Sequence, residues 1–427
     1  MNICSEPRPT PSPLDRYNSI GIILAGGGAK GAYQAGALKA IHDFLSRHKA
    51  HDKVRMIAGT SIGSWNAMFW LAGLVEENNS RECELERWWS SLSLPNLVRP
   101  VFYLPGFQNY FATWKPWSRN FNRIFTSDES VAARLRRHIE QPDSPGSIHF
   151  YLTRSNVERA LLEVTTNQRE LETARSNLPT RKWRAGTRRV DCQIAKSLED
   201  LHTAVFSSMD LPPLFKYSQI GDQYYEDGGV VDNLPIQFGT EIEKCDLLFI
   251  LPLNATFSRS VNHRSIIKRL LRVMDVRQGV LERNSFKMVY LYNELAALRH
   301  RTEEFESLAD RALTILKGRA EPEIQPLIEE LLRMRPGGTG AKAEDALLAD
   351  RALMRRHRRV DVFAICPAPK LAVNTIDFWK RDEAGRAFRL MRDVTSGELE
   401  KFFAAPPEWV RMALVQPSRD VVYLEEF

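Results

Sequence analysis

The chain has 427 residues, of which 43% are apolar, 26% charged and 10% aromatic. Those proportions exclude collagen-like and intrinsically disordered chains and fit one large α/β unit with insertions, or two to three average domains. Lys and Arg outnumber Asp and Glu by 59 to 53, and this net +6 suits anionic partners, phospholipid surface or nucleic acid, without choosing between them.

The amino terminus carries prolines at 7, 9, 11 and 13 and lacks the apolar core of a secretory signal, so residues 1–18 read as a flexible tail. Ser19–Ala25 is a short apolar run ending in glycines, the pattern of a buried strand. Gly31–Lys49 follows as a helix, with Ala32, Ala35, Leu38, Ile41 and Leu45 at helical spacing. A second buried strand, Val54–Ala58, leads into a helix from about Ser61 to Leu74. Strand-helix-strand-helix order predicts a parallel sheet covered on both faces. Met56–Val75 is free of charge, but Thr60, Ser61, Ser64 and Asn66 and three glycines interrupt it, which argues against a membrane span.

Residues 87–127 contain no Asp or Glu, yet include Arg87, Arg99, Lys115, Arg119 and Arg123 among dense aromatics such as Trp114 and Trp117. Two readings stand: a lid or membrane-facing surface, or buried packing around the face of the sheet. The stretch 150–200 is mostly polar and reads as helical, with a basic knot at Arg181–Arg189. Gln223–Asp227 reads as a strand entering a Gly-Gly turn, and Cys245–Leu253 as a further buried strand. From 257 to 358 the sequence is charged and helical, broken at Pro336–Gly340, and an apolar strand at Val360–Cys366 marks it as an insertion. The expected organisation is a tail (1–18), an α/β core (19–256), a helical insertion (257–358) and a segment completing the core (359–427). Cys4, Cys83, Cys192, Cys245 and Cys366 are scattered and odd in number, which disfavours a disulfide framework or zinc cage and points to a reducing, cytoplasmic setting.

Gly26-Gly27-Gly28-Ala29-Lys30-Gly31 lies between the first strand and its helix, where glycines admit a ligand close to the backbone and the helix start supplies oriented N–H groups. A dinucleotide fold needs an acidic residue ending its second strand, but here that strand ends in Gly59-Thr60-Ser61. A P-loop needs Gly-Lys followed by Ser or Thr, whereas Lys30 precedes Gly31. What remains is an anion or oxyanion cradle, or a plain tight turn. A non-catalytic module binding a phosphate- or nucleotide-bearing ligand through this loop is the alternative to an enzyme.

Gly59-Thr60-Ser61-Ile62-Gly63 has the form GxSxG in the strand-to-helix context that lifts a serine hydroxyl above the sheet edge. Ser61 could otherwise serve as a simple helix N-cap, a role that does not call for glycine at both i−2 and i+2. A histidine-based hydrolase would keep its histidine late in the chain, but His263, His300 and His357 sit in polar, helical or Arg-rich sequence. Asp227-Gly228-Gly229 offers a carboxylate at a strand end instead, or else an ordinary Asp-Gly hairpin turn.

These segments together resemble the patatin-like phospholipases. Leu24–Gly36 is similar to their glycine-rich segment, Gly59–Gly63 to their serine elbow, and Asp227–Pro235 to their Asp-Gly-Gly block, with Met209–Phe215 just upstream. The resemblance implies a three-layer α/β/α sandwich with a mostly parallel central sheet, and a serine esterase working through a Ser-Asp dyad and an acyl-enzyme. It implies Ser61 as nucleophile, Asp227 as base, and Gly26, Gly27, Gly28 and Ala29 as the oxyanion hole. Lys30, Gly31, Gly59, Gly63, Gly228 and Gly229 would support the motifs, and Asn233 and Pro235 would be structural. No metal and no cofactor are implied. The expected partners are a phospholipid or lysophospholipid substrate and transient contact with a membrane surface, not nucleic acid.

Overall fold

The computed structural model describes residues 12–75, 83–101, 110–171, 191–212, 214–253, 266–317, 359–367, 373, 377–404, 411–415 and 421–423. The chain opens with β1 (Ile20–Leu24), α1 (Gly31–Arg47), β2 (Val54–Thr60) and α2 (Ile62–Leu71), the strand-helix alternation expected. Short pieces follow: α3 (Glu84–Ser90), α4 (Leu94–Leu97), the small ribbon β3 (Arg99–Pro100) and β4 (Ala112–Thr113), α5 (Lys115–Phe121) and α6 (Glu129–Glu140). Then come β5 (His149–Asn156), β6 (Leu161–Thr166), β7 (Asp191–Ile194), α7 (Leu198–Ser208), β8 (Ser218–Ile220) and β9 (Gln223–Asp227). The described chain ends with β10 (Leu247–Leu251), α8 (Ile266–Lys317), β11 (Asp361–Cys366), α9 (Arg381–Ala404), β12 (Arg411–Val415) and β13 (Val421–Tyr423).

The strands form a single large sheet in the order β13-β12-β11-β10-β1-β2-β5-β6-β7, with β9 along the end of β5 and β8 beside β9. Pairing is parallel from β12 through to β5, and antiparallel at β12–β13, β5–β6, β5–β9 and β8–β9. Successive residues of a strand face opposite sides, so β1 feeds two cores. Ile22 and Leu24 join Leu38, Ile41 and Phe44 of α1, Phe69 of α2, and Phe388 and Phe403 of α9. Ile23 and Ala25 join Met56, Ala58, Phe238 and Ile250, with Val289 and Phe286 of α8 closing that side. Burying each large side chain contributes about 1.5–3 kcal/mol, and two covered faces explain why β1 and β10 are apolar throughout. This is the α/β sandwich the resemblance implies. Helix α1 crosses α9 in contact, since a Cβ at Gly36 would lie 2.0 Å from the carbonyl oxygen of Phe388.

Three expectations need correction or division. The stretch 150–200, read as helical, supplies β5, β6 and β7 before α7 begins; the basic knot at Arg181–Arg189 lies outside the described residues. The polar side chains at 153–156 of β5 are buried yet partnered: Arg154 binds Glu163, reaches Gln193 at 2.5 Å and lies over the Tyr225 ring at 4.3 Å. Composition therefore resembled a solvated helix where the chain is an interior strand. Within the expected tail, Leu14 and Tyr17 are buried and the Tyr17 hydroxyl donates to Asp361 at 2.8 Å, while residues 1–11 lie outside the described residues. In the acid-free stretch, Trp117, Phe121 and Phe125 pack around Trp65 with ring centroids 5.2–6.3 Å apart, which is the packing reading for those three; Phe102, Tyr103 and Phe107 lie outside the described residues. Cys83, Cys192, Cys245 and Cys366 are free thiols. No described helix is long and apolar enough to cross a membrane.

Candidate active site

Strand β2 runs into α2 through Ser61, whose φ of 54° and ψ of −125° place a non-glycine residue in a conformation costing about 1–3 kcal/mol. The flanking glycines make that turn possible. A Cβ on Gly59 would sit 2.6 Å from the Gly63 carbonyl oxygen, and one on Gly63 would sit 2.4 Å from that of Leu24. Hydroxyls from two further elements pin the turn. Ser208, ending α7, accepts the Ser61 N–H at 2.8 Å and shares a 2.9 Å hydrogen bond with Ser64, whose hydroxyl donates to the Gly59 carbonyl at 2.8 Å. The neighbouring Thr60 hydroxyl bonds that of Thr153 on β5 at 2.7 Å.

Ser61 Oγ, with the residue 8% exposed, donates to Asp227 Oδ2 at 2.5 Å. Asp227 ends β9, whose antiparallel pairing places it opposite Arg154 of β5. Its other oxygen, Oδ1, accepts the Gly229 N–H at 2.8 Å, and its carbonyl accepts the Ser155 hydroxyl at 2.9 Å. A Cβ on Gly228 would collide with Thr153, so glycine there lets the turn close on β5. Burial pushes the Asp227 carboxyl up to about 7; the charge of Glu226 adds to the rise, and the two hydrogen-bond donors oppose it. A carboxylate tuned near neutrality is suited to take a proton from a hydroxyl.

Sequence reasoning assigned no role to Asp210, although it lies in the Met209–Phe215 segment singled out for resemblance. Its carbonyl accepts the Asp227 N–H at 3.1 Å. Its own carboxylate is buried, pushed up to about 7 by desolvation, and receives Trp114 Nε1 at 2.8 Å and the Ser218 hydroxyl at 2.5 Å. Ser208, Ser64 and Thr153 were also missed, because single hydroxyls brought together by the sheet leave no periodic mark in the sequence.

The glycine loop lies against the elbow. A Cβ on Gly26 would stand 2.9 Å from that of Ser61, and Gly28 takes a φ of +59° that favours glycine. The N–H groups of Gly27 and Gly28 hydrogen-bond to no described residue, whereas the Lys30 N–H turns back to the Gly27 carbonyl at 3.3 Å. Ala29 is buried, and Gly31 opens α1 against Ile62 and Trp89. Lys30 Nζ lies 3.5 Å from Asp275 of α8. The Asn233 amide donates both to the Gly26 carbonyl at 3.2 Å and to Glu282 of α8 at 2.6 Å. Helix α8, drawn from the sequence read as an insertion, thus forms one wall of this site, with Gln278 close to Gly229. Of the late histidines, His300 is exposed on α8 beside Glu304, and His263 and His357 lie outside the described residues.

Residues 22–238 match the family described as Patatin-like phospholipase. Patatin-like phospholipase domain-containing protein 6 of Homo sapiens is 31% identical over 108 residues, 25% of this chain and 7% of that protein. Neuropathy target esterase sws of Drosophila melanogaster is 37% identical over 90 residues, 20% of this chain and 6% of that protein. The matches thus span a small fraction of the length of both relatives. The structure of VipD from Legionella pneumophila aligns with 90% of this chain and 67% of its own at a TM-score of 0.35 and 14% identity. With the family match covering about half of its length, the chain belongs to the patatin-like phospholipase family.

Proposed function

We propose that the chain is a lipid acyl hydrolase that cleaves carboxylic esters of phospholipids or lysophospholipids through a dyad of Ser61 and Asp227. The observation that carries this reading is the 2.5 Å hydrogen bond from a strained serine at a GxSxG turn to a buried carboxylate. In the first half-reaction Ser61 Oγ attacks the ester carbonyl carbon as its proton passes to Asp227 Oδ2. The carbonyl oxygen becomes an oxyanion facing the N–H groups of Gly27 and Gly28, each such donor being worth about 3 kcal/mol. Collapse returns the proton to the departing alcohol and leaves the acyl group on Ser61. Water, deprotonated by the same carboxylate, then releases the fatty acid. The raised Asp227 value supports this role, because a carboxylate near its ordinary value of about 3.9 would be a poor base for a hydroxyl.

The alternative, a non-catalytic phosphate-binding loop, is disfavoured by the company the loop keeps: Asp227 through Ser61, and Glu282 through Asn233. A fluorophosphonate probe tests the proposal. The wild type is expected to label at one serine and to release fatty acid from defined phospholipids, read by mass spectrometry, while Ser61→Ala loses both. Labelling and turnover that survive in Ser61→Ala would overturn the assignment.

A further inference from the structure

One part of the described surface is not used by the dyad. Between α4, β3 and α5 lies a cleft of about 320 Å³, lined by Leu94, Val98 and Pro116 and by Arg99, Lys115 and Arg119. Leu94 is 36% exposed there, the cost of which an apolar partner would relieve. The two cations nearest in sequence on the adjoining helical turns, Arg87 and Arg123, pair with Glu84. Arg99, Lys115 and Arg119 form no ion pair with a described acidic residue, and residues 87–127 contain no acid at all. An apolar floor with three uncompensated cations matches the glycerol and phosphate zone of an anionic bilayer, where each nearby cation adds to binding. A free phosphate would instead call for convergent donors in a polar pocket.

The cleft is also joined to the catalytic base. Helix α5 begins after Trp114, whose indole holds the Asp210 carboxylate, and the Asp210 carbonyl in turn receives the Asp227 N–H. Asn120 of α5 donates to the Asn96 carbonyl at 2.9 Å, tying the two walls together. Beside α5, Trp379 is 54% exposed and follows Phe378, whose ring meets Trp117 at 5.8 Å; exposed tryptophan is a frequent interfacial anchor. Resting on the reading of the chain as a lipid acyl hydrolase, we propose that this cleft docks the protein onto bilayers carrying anionic phospholipid, with Arg99, Lys115 and Arg119 at the phosphates and Leu94 in the interfacial layer.

Flotation of the full chain tests it, with vesicles of pure phosphatidylcholine and of phosphatidylcholine mixed with phosphatidylglycerol. The wild type is expected to float with the mixed vesicles, less so as salt is raised, and to stay behind with the neutral ones. The triple variant Arg99→Gln/Lys115→Gln/Arg119→Gln should lose about a hundredfold in partitioning, roughly fivefold per charge, and keep wild-type turnover of a water-soluble short-chain ester, which also reports its folding. Removing two exposed cations near the start of β2, Lys49→Gln/Arg55→Gln, should leave flotation unchanged. Equal flotation of the triple variant, equal loss in the distal pair, or a wild type that ignores vesicle charge would each overturn the proposal. Ser61→Ala should float like the wild type, so a failure of the catalytic reading appears in turnover and a failure of docking appears in flotation.

Discussion

Replacing Asp227 by Asn should abolish turnover and, at the same time, make the protein more stable. The side chains are nearly isosteric, and the amide can meet both existing partners: its oxygen accepts the Gly229 N–H and its nitrogen donates to Ser61 Oγ. What disappears is a buried charge. The carboxyl stands at about 7 in the folded protein against an ordinary value of 3.8. Because the folded value is the higher one, the charge costs nothing below about pH 4, where both states are protonated. Its cost grows between about pH 4 and 7 and is constant above that. At about 1.4 kcal/mol per pH unit of separation, the full cost is on the order of 4 kcal/mol, or roughly 4–5 °C in Tm for a protein of this size. Thermal melts of both proteins across this range should coincide at low pH and diverge above neutrality, with Asp227→Asn higher, while ester turnover falls roughly 10²–10⁴-fold. A Tm gap that does not vary with pH, a less stable variant at high pH, or retained turnover would refute the reasoning.

The acid limb of kcat/KM should fall near pH 7, where Asp227 takes up its proton; Glu226→Gln removes a charge that raises that value, so its limb should move to lower pH in a pH-rate profile. Asn233→Ala deletes the amide that joins Gly26 to Glu282, and urea denaturation should register a loss of about 1–3 kcal/mol for the buried acceptors left behind. Gly36→Ala should destabilise by about 1–3 kcal/mol despite the better helix propensity of alanine, because the new methyl meets the Phe388 backbone and not a movable side chain. Denaturant titration showing a stabilised Gly36→Ala would mean that α1 and α9 are free to part.

Elements whose burial is uniform were legible in the sequence. Ile20–Leu24 and Leu247–Leu251 announce themselves because both sheet faces are covered, and the glycines around Ser61 and Gly26 announce close backbone approach. The choice between Asp227 as partner and as plain turn could not be made by spacing, since the two residues lie 166 positions apart and only the β5–β9 pairing brings them together. Strand β5 was obscured because Thr153, Arg154, Ser155 and Asn156 are polar yet interior, each satisfied by a neighbour that sequence does not reveal. Helix α8 read correctly as charged and helical, but its contribution to the site rests on a few positions, Asp275, Gln278 and Glu282, scattered along one long polar surface. Trp114 was noticed for its aromatic company, while its indole bond to Asp210 depends on the fold.

The neighbour of β10 on its far side is β11, and about 110 residues of chain intervene between them. A polypeptide halted near residue 256 would already carry the serine and its carboxylate, but would leave Leu247–Leu251 as a naked rim of unpaired amides and greasy side chains. Such a rim recruits copies of itself. During synthesis the same hazard persists until the ribosome has delivered the strand at 361–366, so this chain has to be shielded, or kept waiting, for the translation of roughly a quarter of its length.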